Sequence, residues 1–304
     1  MFSLEKITLL CEYLESIGCA YSKDESMKDH ISFKVGGPAD IFIRPATEEV
    51  CQKIIAFCTE QEIPLHYMGG GSNLLVHDFG VRGAVLASTG MNELELLEGL
   101  RIRCGAGVKL SRLCSFALEH SLAGLEFAWG IPGTAGGAVF MNAGAYDGCF
   151  KDVLESVTHI TREGAVEEWT AEQAKLSYRS SAYQKHPHLI TSMVLQLKPG
   201  SQETIRNTMD DLMNRRREKQ PLEYPSAGST FKRPQGHFAG ALIEQAGLKG
   251  ARVGGAMVSE KHAGFIINYE NATASDILRL MEKVQGDVFD HFGVMLESEV
   301  RLMK

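Results

Sequence analysis

Three short segments carry polar residues that secondary-structure propensity does not explain. Tyr178-Arg179-Ser180-Ser181 sits between a predicted helix and a predicted strand. Ala227-Gly228-Ser229-Thr230-Phe231 follows Tyr224-Pro225 in a loop, and Glu297-Ser298-Glu299-Val300-Arg301 falls within a predicted terminal strand. Together they offer a cation, a hydroxyl and a carboxylate, although each taken singly is more commonly a surface loop or a solvent face. A hydrolase triad lacks support, since no serine stands in a Gly-x-Ser-x-Gly elbow. His186-Pro187-His188 lacks the third and fourth ligands that a metal would need, so those histidines read as surface residues.

A second kind of chemistry is written in glycine. Trp129 to Tyr146 contains Gly130, Gly133, Gly136, Gly137 and Gly144, far denser than the ordinary usage of about 7%. Pro132 fixes its own φ and biases Ile131 toward an extended conformation. Thr134 is placed to cap a short helix through Ala138 and Phe140, giving a helix mouth with exposed amides that suits a phosphate. One such loop is as readily a tight turn with a close helix crossing. A second loop, Gly69-Gly70-Gly71-Ser72-Asn73, lies between the apolar runs Pro64–Met68 and Leu74–Val76. Three adjacent glycines weaken local structure, whereas their amides, with Ser72 and Asn73, can form a nest for an anion. Neither loop fits the common nucleotide signatures. Gly105-Ala106-Gly107 begins a Gly-x-Gly, but the required later glycine is Leu110, and no Gly-Lys-Ser/Thr occurs. An extended diphosphate held by two loops outside the Rossmann pattern is the reading the residues favour.

The elements that must position these groups follow from apolar spacing. Ile7, Leu10, Cys11, Leu14 and Ile17 predict a helix stopped by Gly18. A strand over Ala39 to Arg44, a helix capped by Thr47, and a strand running into the triple glycine come next. That places the loop at a strand's carboxyl end, where ligands of such sheets commonly bind. From Val81 to Pro199 strands dominate, at 83–88, 100–104, 153–161, 166–170 and 189–197, with Glu163-Gly164 turning a hairpin. One helix carrying Leu110, Leu113, Cys114 and Ala117 is inserted among them and closed by Gly124. A domain boundary is expected near Lys198-Pro199-Gly200. Beyond it lie a helix with Ile205, Met209 and Leu212 stopped by Pro221, a long helix capped by Thr273 and closed by Gly293, and a strand from Val294 to Leu302. Arg215, Arg216, Arg217 and Lys219 end the first of these helices. They read chiefly as cations complementing its negative end, with a phosphate clamp left open for one or two.

The chain has 304 residues, 44% hydrophobic and 23% charged, with a net charge of −7. This is ordinary soluble composition, with no general attraction to nucleic acid or anionic lipid. The seven cysteines are scattered without C-x-x-C spacing, as expected of buried thiols in a reducing cytoplasm. Glu5, Lys6, Glu12 and Glu15 argue against a signal peptide, and no apolar run approaches the ~18 residues of a membrane span.

A set of motifs then resembles one family. Gly69 to Leu74, Gly124 to Ala128, Gly130 to Gly137, Met141 to Tyr146, Tyr178-Arg179, Lys219-Gln220-Pro221, Gly228 to Phe231, Lys261 to Phe265 and Glu299-Val300-Arg301 run in the order of the UDP-N-acetylenolpyruvoylglucosamine reductases. Each is weak alone; the set covers nearly the whole chain. It is similar to the family's shorter type, which lacks an extra loop whose tyrosine contacts substrate in the longer type. A related flavin oxidase of another small molecule, and a nucleotide-binding module without catalysis, are the alternatives.

The resemblance implies an α+β protein: a two-subdomain FAD-binding unit of the vanillyl-alcohol oxidase type (1–65 and 66–200) plus an α+β substrate-binding domain (201–304) whose last residues are able to pack back on the first subdomain. FAD would lie extended between the subdomains. Its contacts would come from Gly69, Gly70, Gly71, Ser72, Asn73, Leu74, Ile131, Pro132, Gly133, Thr134, Gly136, Gly137, Asn142, Ala143 and Gly144. NADPH would reduce the flavin, and hydride would pass to the vinyl carbon of UDP-N-acetylglucosamine enolpyruvate to give UDP-N-acetylmuramate for peptidoglycan. By the same resemblance Arg179 and a protonated Glu299 stabilise the carbanion that results, and Ser229 protonates it. Lys219, Arg233 and His262 are the candidate sugar-nucleotide ligands. No metal, no nucleic acid, no membrane and no obligate protein partner is implied, and a cytoplasmic location is expected.

Overall fold

The computed structural model describes residues 4–304; the first three positions of the 1–65 segment lie outside the described residues. The chain forms two compact units. The first takes the chain up to Lys23, Asp40–Gly70 and Gly83–Arg215; the second takes Asp24–Ala39, Gly71–Arg82 and Arg216–Lys304. Neither is continuous, and the break expected at 198–200 falls at 215/216, inside a helix.

In the first unit, helices α1 (Leu4–Ser16) and α2 (Glu48–Glu60) cover a sheet. Its strands run in the order Tyr21–Ser26, Pro38–Ile43, Val81–Ala87, Leu65–Met68, the last two parallel. Thr47 Oγ1 accepts the amide of Val50 and starts α2 as expected. Leu10 and Leu14 of α1 and Ile54 and Ile55 of α2 are fully buried in one core with Ile41, Ile43 and Leu86 of the sheet. Burying each such side chain contributes about 1.5–3 kcal/mol.

A five-stranded antiparallel sheet follows, in the order Val166–Thr170, Leu154–Ile160, Leu189–Gln196, Arg101–Gly105, Leu94–Leu97. Glu163-Gly164 makes the expected hairpin turn, with Ile160 opposite Val166. Helices α3 (Leu110–Glu119) and α4 (Ala135–Met141) pack on this sheet, and a one-turn helix α5 (Ala171–Ala174) follows its edge strand. Gly124 does not close α3, which ends at His120 with Ser121 taking the positive φ of +58°. Helix α6 (Gln202–Lys219) buries Ile205 and Met209 in this same core. That packing explains why the break comes later than the Pro199-Gly200 punctuation suggests.

The second unit contains a small antiparallel sheet (Arg252–Val253, Ala256–Val258, Ile266–Asn268) against α8 (Ala274–Phe292), on which α7 (Ala239–Gln245) packs. Helix α8 begins with a reciprocal capping box, Thr273 with Asp276, and ends on Gly293 in the left-handed conformation, as its sequence signals require. Asp78 adds a second cap, accepting the Ala274 amide at 2.7 Å and the Ser275 amide at 2.9 Å.

The expected strand from Val294 to Leu302 is not continuous. Residues 297–299 bridge to 230–232, through Lys232 N to Glu297 O at 2.8 Å and Glu299 N to Thr230 O at 2.9 Å. The chain then changes partner, and Arg301–Met303 pairs parallel with Leu74–Val76.

All seven cysteines are free; five are buried, while Cys19 and Cys149 are only half-buried. Burial pushes the Cys51 thiol up to about 12, which keeps it an inert, protonated core group.

Candidate active site

In the first unit the two glycine-rich loops meet. A Cβ added to Gly70 would stand 3.3 Å from Gly133 Cα, and one on Gly69 would run into Thr134 Oγ1. Only bare backbone allows that approach. Thr134 occupies the N-cap position of α4, yet its hydroxyl makes no capping bond. Thr134 is 3% exposed and its Oγ1 has no hydrogen-bond partner in the protein.

The helix mouth differs from expectation in a second way. The first amides of α4 are not exposed: Ala135 N donates to Val108 O and Gly136 N to Ala106 O, both at 2.9 Å. Gly136 serves this close crossing, since a Cβ there would lie 2.8 Å from that of Ala106. The loop from Ala106 to Val108 therefore takes two amides that a phosphate was expected to use. Gly137 N is not taken by it and lies 3.7 Å from the Cβ position of Gly69.

The other end of α4 builds the Arg179 turn. Ser177 and Ser180 exchange backbone hydrogen bonds (3.0 and 3.1 Å), leaving Tyr178 and Arg179 at the tip with Arg179 at φ +51°. A left-handed arginine costs about 1–2 kcal/mol, so its surroundings must hold it. Asn142, in the left-handed conformation at the C-cap, donates from Nδ2 to Ser177 O at 3.0 Å and accepts Lys151 N at 2.9 Å. Ser181 Oγ donates to Phe140 O at 2.7 Å, and Gln184 Nε2 donates to Arg179 O at 3.0 Å. Arg179 itself donates from Nη2 to Gly144 O at 3.3 Å, and its guanidinium lies 5.4 Å from the Tyr178 ring centroid. Gly144 pairs with Cys149 in a two-residue hairpin, and Ala143 O accepts the Phe150 amide that anchors it. Ile131 and Pro132 lie half-buried and exposed in the loop ahead of Gly133.

In the second unit, the bridge between 230–232 and 297–299 puts Glu299 across from Thr230, the residue that follows Ser229. Thr230 is fully buried, donating its amide to Gly264 O and accepting Ile266 N at its hydroxyl. Ser229 beside it is half-buried. Asn73 Nδ2 donates to Glu299 O at 3.0 Å, while Arg301 N donates to Asn73 O at 3.0 Å. Gly71 O accepts Ser32 N, and Leu74 begins the strand that follows half-buried Ser72 and Asn73.

The candidate sugar-nucleotide ligands are spread over this unit. Lys219 is exposed at the end of α6, where Arg216 Nε and Nη1 are buried instead. Arg215, in the other unit, is an ordinary helix pair with Asp211. Arg233 is exposed and stacks 3.9 Å over the Phe238 ring. His262 Nδ1 accepts the Gly264 amide at 3.1 Å, and burial holds the imidazole below the usual histidine range. Nε2 is then the nitrogen left to donate.

One reading of the histidines needs correcting. His186 is exposed, but His188 is half-buried and stacks 4.8 Å from fully buried His159, which bonds Tyr183 and meets the edge of Trp169. Their place is explained by aromatic packing. Among the described residues no group of three or more His, Cys, Asp or Glu is arranged to hold a metal ion.

Residues 39–170 match the family model described as an FAD binding domain, and residues 220–303 match that of the UDP-N-acetylenolpyruvoylglucosamine reductase C-terminal domain. A UDP-N-acetylenolpyruvoylglucosamine reductase of Clostridium botulinum is 51% identical over 280 residues, 92% of this chain and 91% of its own length. The chain belongs to the UDP-N-acetylenolpyruvoylglucosamine reductase family. Another member, from Syntrophomonas wolfei, is 48% identical over 92% of this chain and 94% of its own. The crystal structure of the Thermus caldophilus reductase superposes with a TM-score of 0.81 at 35% identity, covering 94% of this chain and 99% of that one.

As a reductase of this family the protein is a flavin-dependent oxidoreductase, and the expected α+β class with an FAD-binding unit holds. The FAD model spans both glycine loops and Asn142 to Gly144, but stops before Arg179; the C-terminal model spans Ser229, Arg233, His262 and Glu299, and starts after Lys219. The residues of the first unit fit the cofactor's diphosphate: two Cβ-less backbones in contact, and beside them a buried hydroxyl with no protein partner. Among the described residues no helix is long and apolar enough to cross a membrane.

Proposed function

We propose that this protein catalyses the NADPH-dependent reduction of UDP-N-acetylglucosamine enolpyruvate to UDP-N-acetylmuramate, in the cytoplasmic part of peptidoglycan synthesis. The observation that supports the reading is the bridge at Phe231 and Ser298, through which the amide of carboxyl-bearing Glu299 is tied to the carbonyl of Thr230, the residue that follows hydroxyl-bearing Ser229. FAD, when bound, supplies the hydride that the vinyl carbon of the substrate receives.

The chain's residues answer the charge that this addition creates. Arg179 presents a permanent cation from a turn fixed on both flanks, and Glu299, in its acid form, offers a hydrogen bond to the enolate-like carbanion. Each group aimed at developing charge is worth roughly 2.7–4 kcal/mol. Ser229 Oγ delivers the proton to the carbon; a hydroxyl can serve because the acceptor is strongly basic. Gly69, Gly70, Gly133, Thr134 and Gly137 cradle the diphosphate of the cofactor. Asn142, its side chain spent on Ser177 and Lys151, supports the Arg179 turn. Lys219, Arg233 and His262 are the groups offered to the sugar nucleotide.

Stopped-flow measurement of the two half-reactions tests the assignment. Ser229→Ala is expected to leave flavin reduction by NADPH within about twofold while slowing reoxidation by the enolpyruvyl substrate at least about 100-fold, the lower end of a general-acid contribution. An equal fall in both half-reactions, or no change, removes Ser229 from the proton-donor role.

A further inference from the structure

The peptide of Glu299 sits where the terminal segment changes partners, and this point is held from two sides. Its N–H donates to Thr230 O at 2.9 Å, which ties it to the residue following Ser229. Its C=O accepts Asn73 Nδ2 at 3.0 Å. Two residues on, the parallel ladder with Leu74–Val76 begins, and Arg301 N donates to Asn73 O at 3.0 Å. Asn73 thus grips the terminal segment twice, once by its main chain and once by its carboxamide.

Backbone pairing alone would leave the carbonyl of Glu299 outside both ladders. The antiparallel bridge uses its amide, and the parallel strand starts at Arg301. The Asn73 bond restrains the 299–300 peptide as the Thr230 bond restrains the 298–299 peptide, and these two peptides flank the Cα that aims the Glu299 side chain. We infer that Asn73 is a positioning residue for Glu299: its carboxamide bridges the gap between two ladders and fixes the backbone that carries the acid. This takes the Asn73 side chain out of the phosphate nest in which its sequence neighbours place it.

The inference rests on the proposed reaction, because it concerns the acid used there. Reacting groups displaced by about 1 Å can lose about 100-fold in rate, so loosening one of two anchors should cost about 10- to 100-fold in the step that uses Glu299. The experiment uses the flavin-loaded full-length enzyme carrying Asn73→Ala, with Asn73→Asp as a near-isosteric second variant that puts an acceptor against the carbonyl. Flavin content, thermal midpoint, the rate of flavin reduction by NADPH, and the rate and substrate dependence of reoxidation by UDP-N-acetylglucosamine enolpyruvate are measured for each.

The expected result is retained flavin, reduction within about twofold of wild type, nearly unchanged half-saturation by the substrate, and a maximal reoxidation rate lowered about 10- to 100-fold in both variants. Loss of flavin, or an equal slowing of both half-reactions, would return Asn73 to the cofactor cradle and overturn the inference. Unchanged reoxidation would overturn it too. Wild-type enzyme whose reduced flavin ignores the enolpyruvyl sugar nucleotide would instead sink the proposed function, a result separate from anything the variants do.

Discussion

Thr134→Val should move two properties in opposite directions. Thr134 is 3% exposed, and its Oγ1 makes no hydrogen bond in the protein although it stands at the N-cap of α4, where a threonine hydroxyl normally accepts an amide. A buried hydroxyl without a partner costs about 1–3 kcal/mol. Valine keeps the branched shape and removes that cost; the opposing term is the greater girth of a methyl facing Gly69. The flavin-free variant should therefore be more stable than wild type by about 1 kcal/mol, equivalent to about 2–4 °C in melting temperature. If the hydroxyl is kept for a phosphate oxygen, the variant also loses a hydrogen bond to a charged group worth about 1.5–3 kcal/mol, a roughly 10- to 100-fold weaker affinity for FAD.

The assay is a thermal melt of flavin-stripped protein together with FAD titration of the same sample by flavin fluorescence. Thr134→Ser is the control, since it retains the hydroxyl: its FAD affinity should stay near wild type while the lost methyl costs about 0.5–1.5 kcal/mol. A Thr134→Val apoprotein that melts below wild type would mean that the hydroxyl has a stabilising role in the free protein. Unchanged FAD affinity would mean that the group does not face the cofactor.

Other residues give independent checks. Gly137→Ala has nothing closer than 3.6 Å to its new methyl and should raise apoprotein stability by up to about 1 kcal/mol through helix propensity, whereas Gly136→Ala strikes Ala106 at 2.8 Å and should cost about 1–3 kcal/mol; thermal melts of the two variants compare them directly. Burial raises the Asp78 carboxyl, but its bonds from Ser275 and Ala274 outweigh that and hold it below the usual range. The stability this cap contributes should be complete above about pH 4 and fade as pH falls through its lowered folded value. Asp78→Asn, costing about 0.5–2 kcal/mol, should flatten that part of a urea-denaturation series. His159 is held down to about 4 by burial and by the like charge of His188. Its unfolded value near 6.5 means that stability is full above that pH and falls by about 2 kcal/mol between pH 7 and pH 5. His159→Phe should abolish that slope in denaturant midpoints, and an unchanged slope would place the acid sensitivity elsewhere.

The helices were legible because their signals are local. Thr47, Thr273 and Gly293 do what capping chemistry asks of them, and the glycine density at 69–71 and 133–137 marked a place where two backbones touch. What local spacing could not reveal was where competition would fall. The α4 amides looked free because nothing near them in sequence announces that Ala106 O and Val108 O arrive from a loop some thirty residues earlier. Val294 to Leu302 looked like one strand because its composition is strand-like throughout; the change of partner at Glu299 is set by segments more than sixty residues away. Gln184, which holds the carbonyl of Arg179, carries no sequence mark at all.

These misses share a physical cause. A catalytic group is useful only if its backbone cannot drift, and a backbone is fixed by long-range hydrogen bonds whose partners have no reason to lie nearby in sequence. Arg179 keeps a left-handed φ of +51° because Gln184 holds its carbonyl and Asn142 and Ser181 fix the turn that carries it. Glu299 is held at its amide by Thr230 and at its carbonyl by Asn73. In both cases the residue expected to touch a ligand is legible as a motif, while the one that aims it is an amide-bearing side chain bound to a carbonyl. Asparagine and glutamine are suited to such positions because they donate without adding a charge that would disturb the acid or the cation they steer. If that is their purpose here, replacing Gln184 by Leu should slow reoxidation by substrate about tenfold or more at unchanged flavin content, and replacing it by Glu, which turns the donor into an acceptor, should slow it further; equal rates in all three proteins would show that the Arg179 turn holds itself.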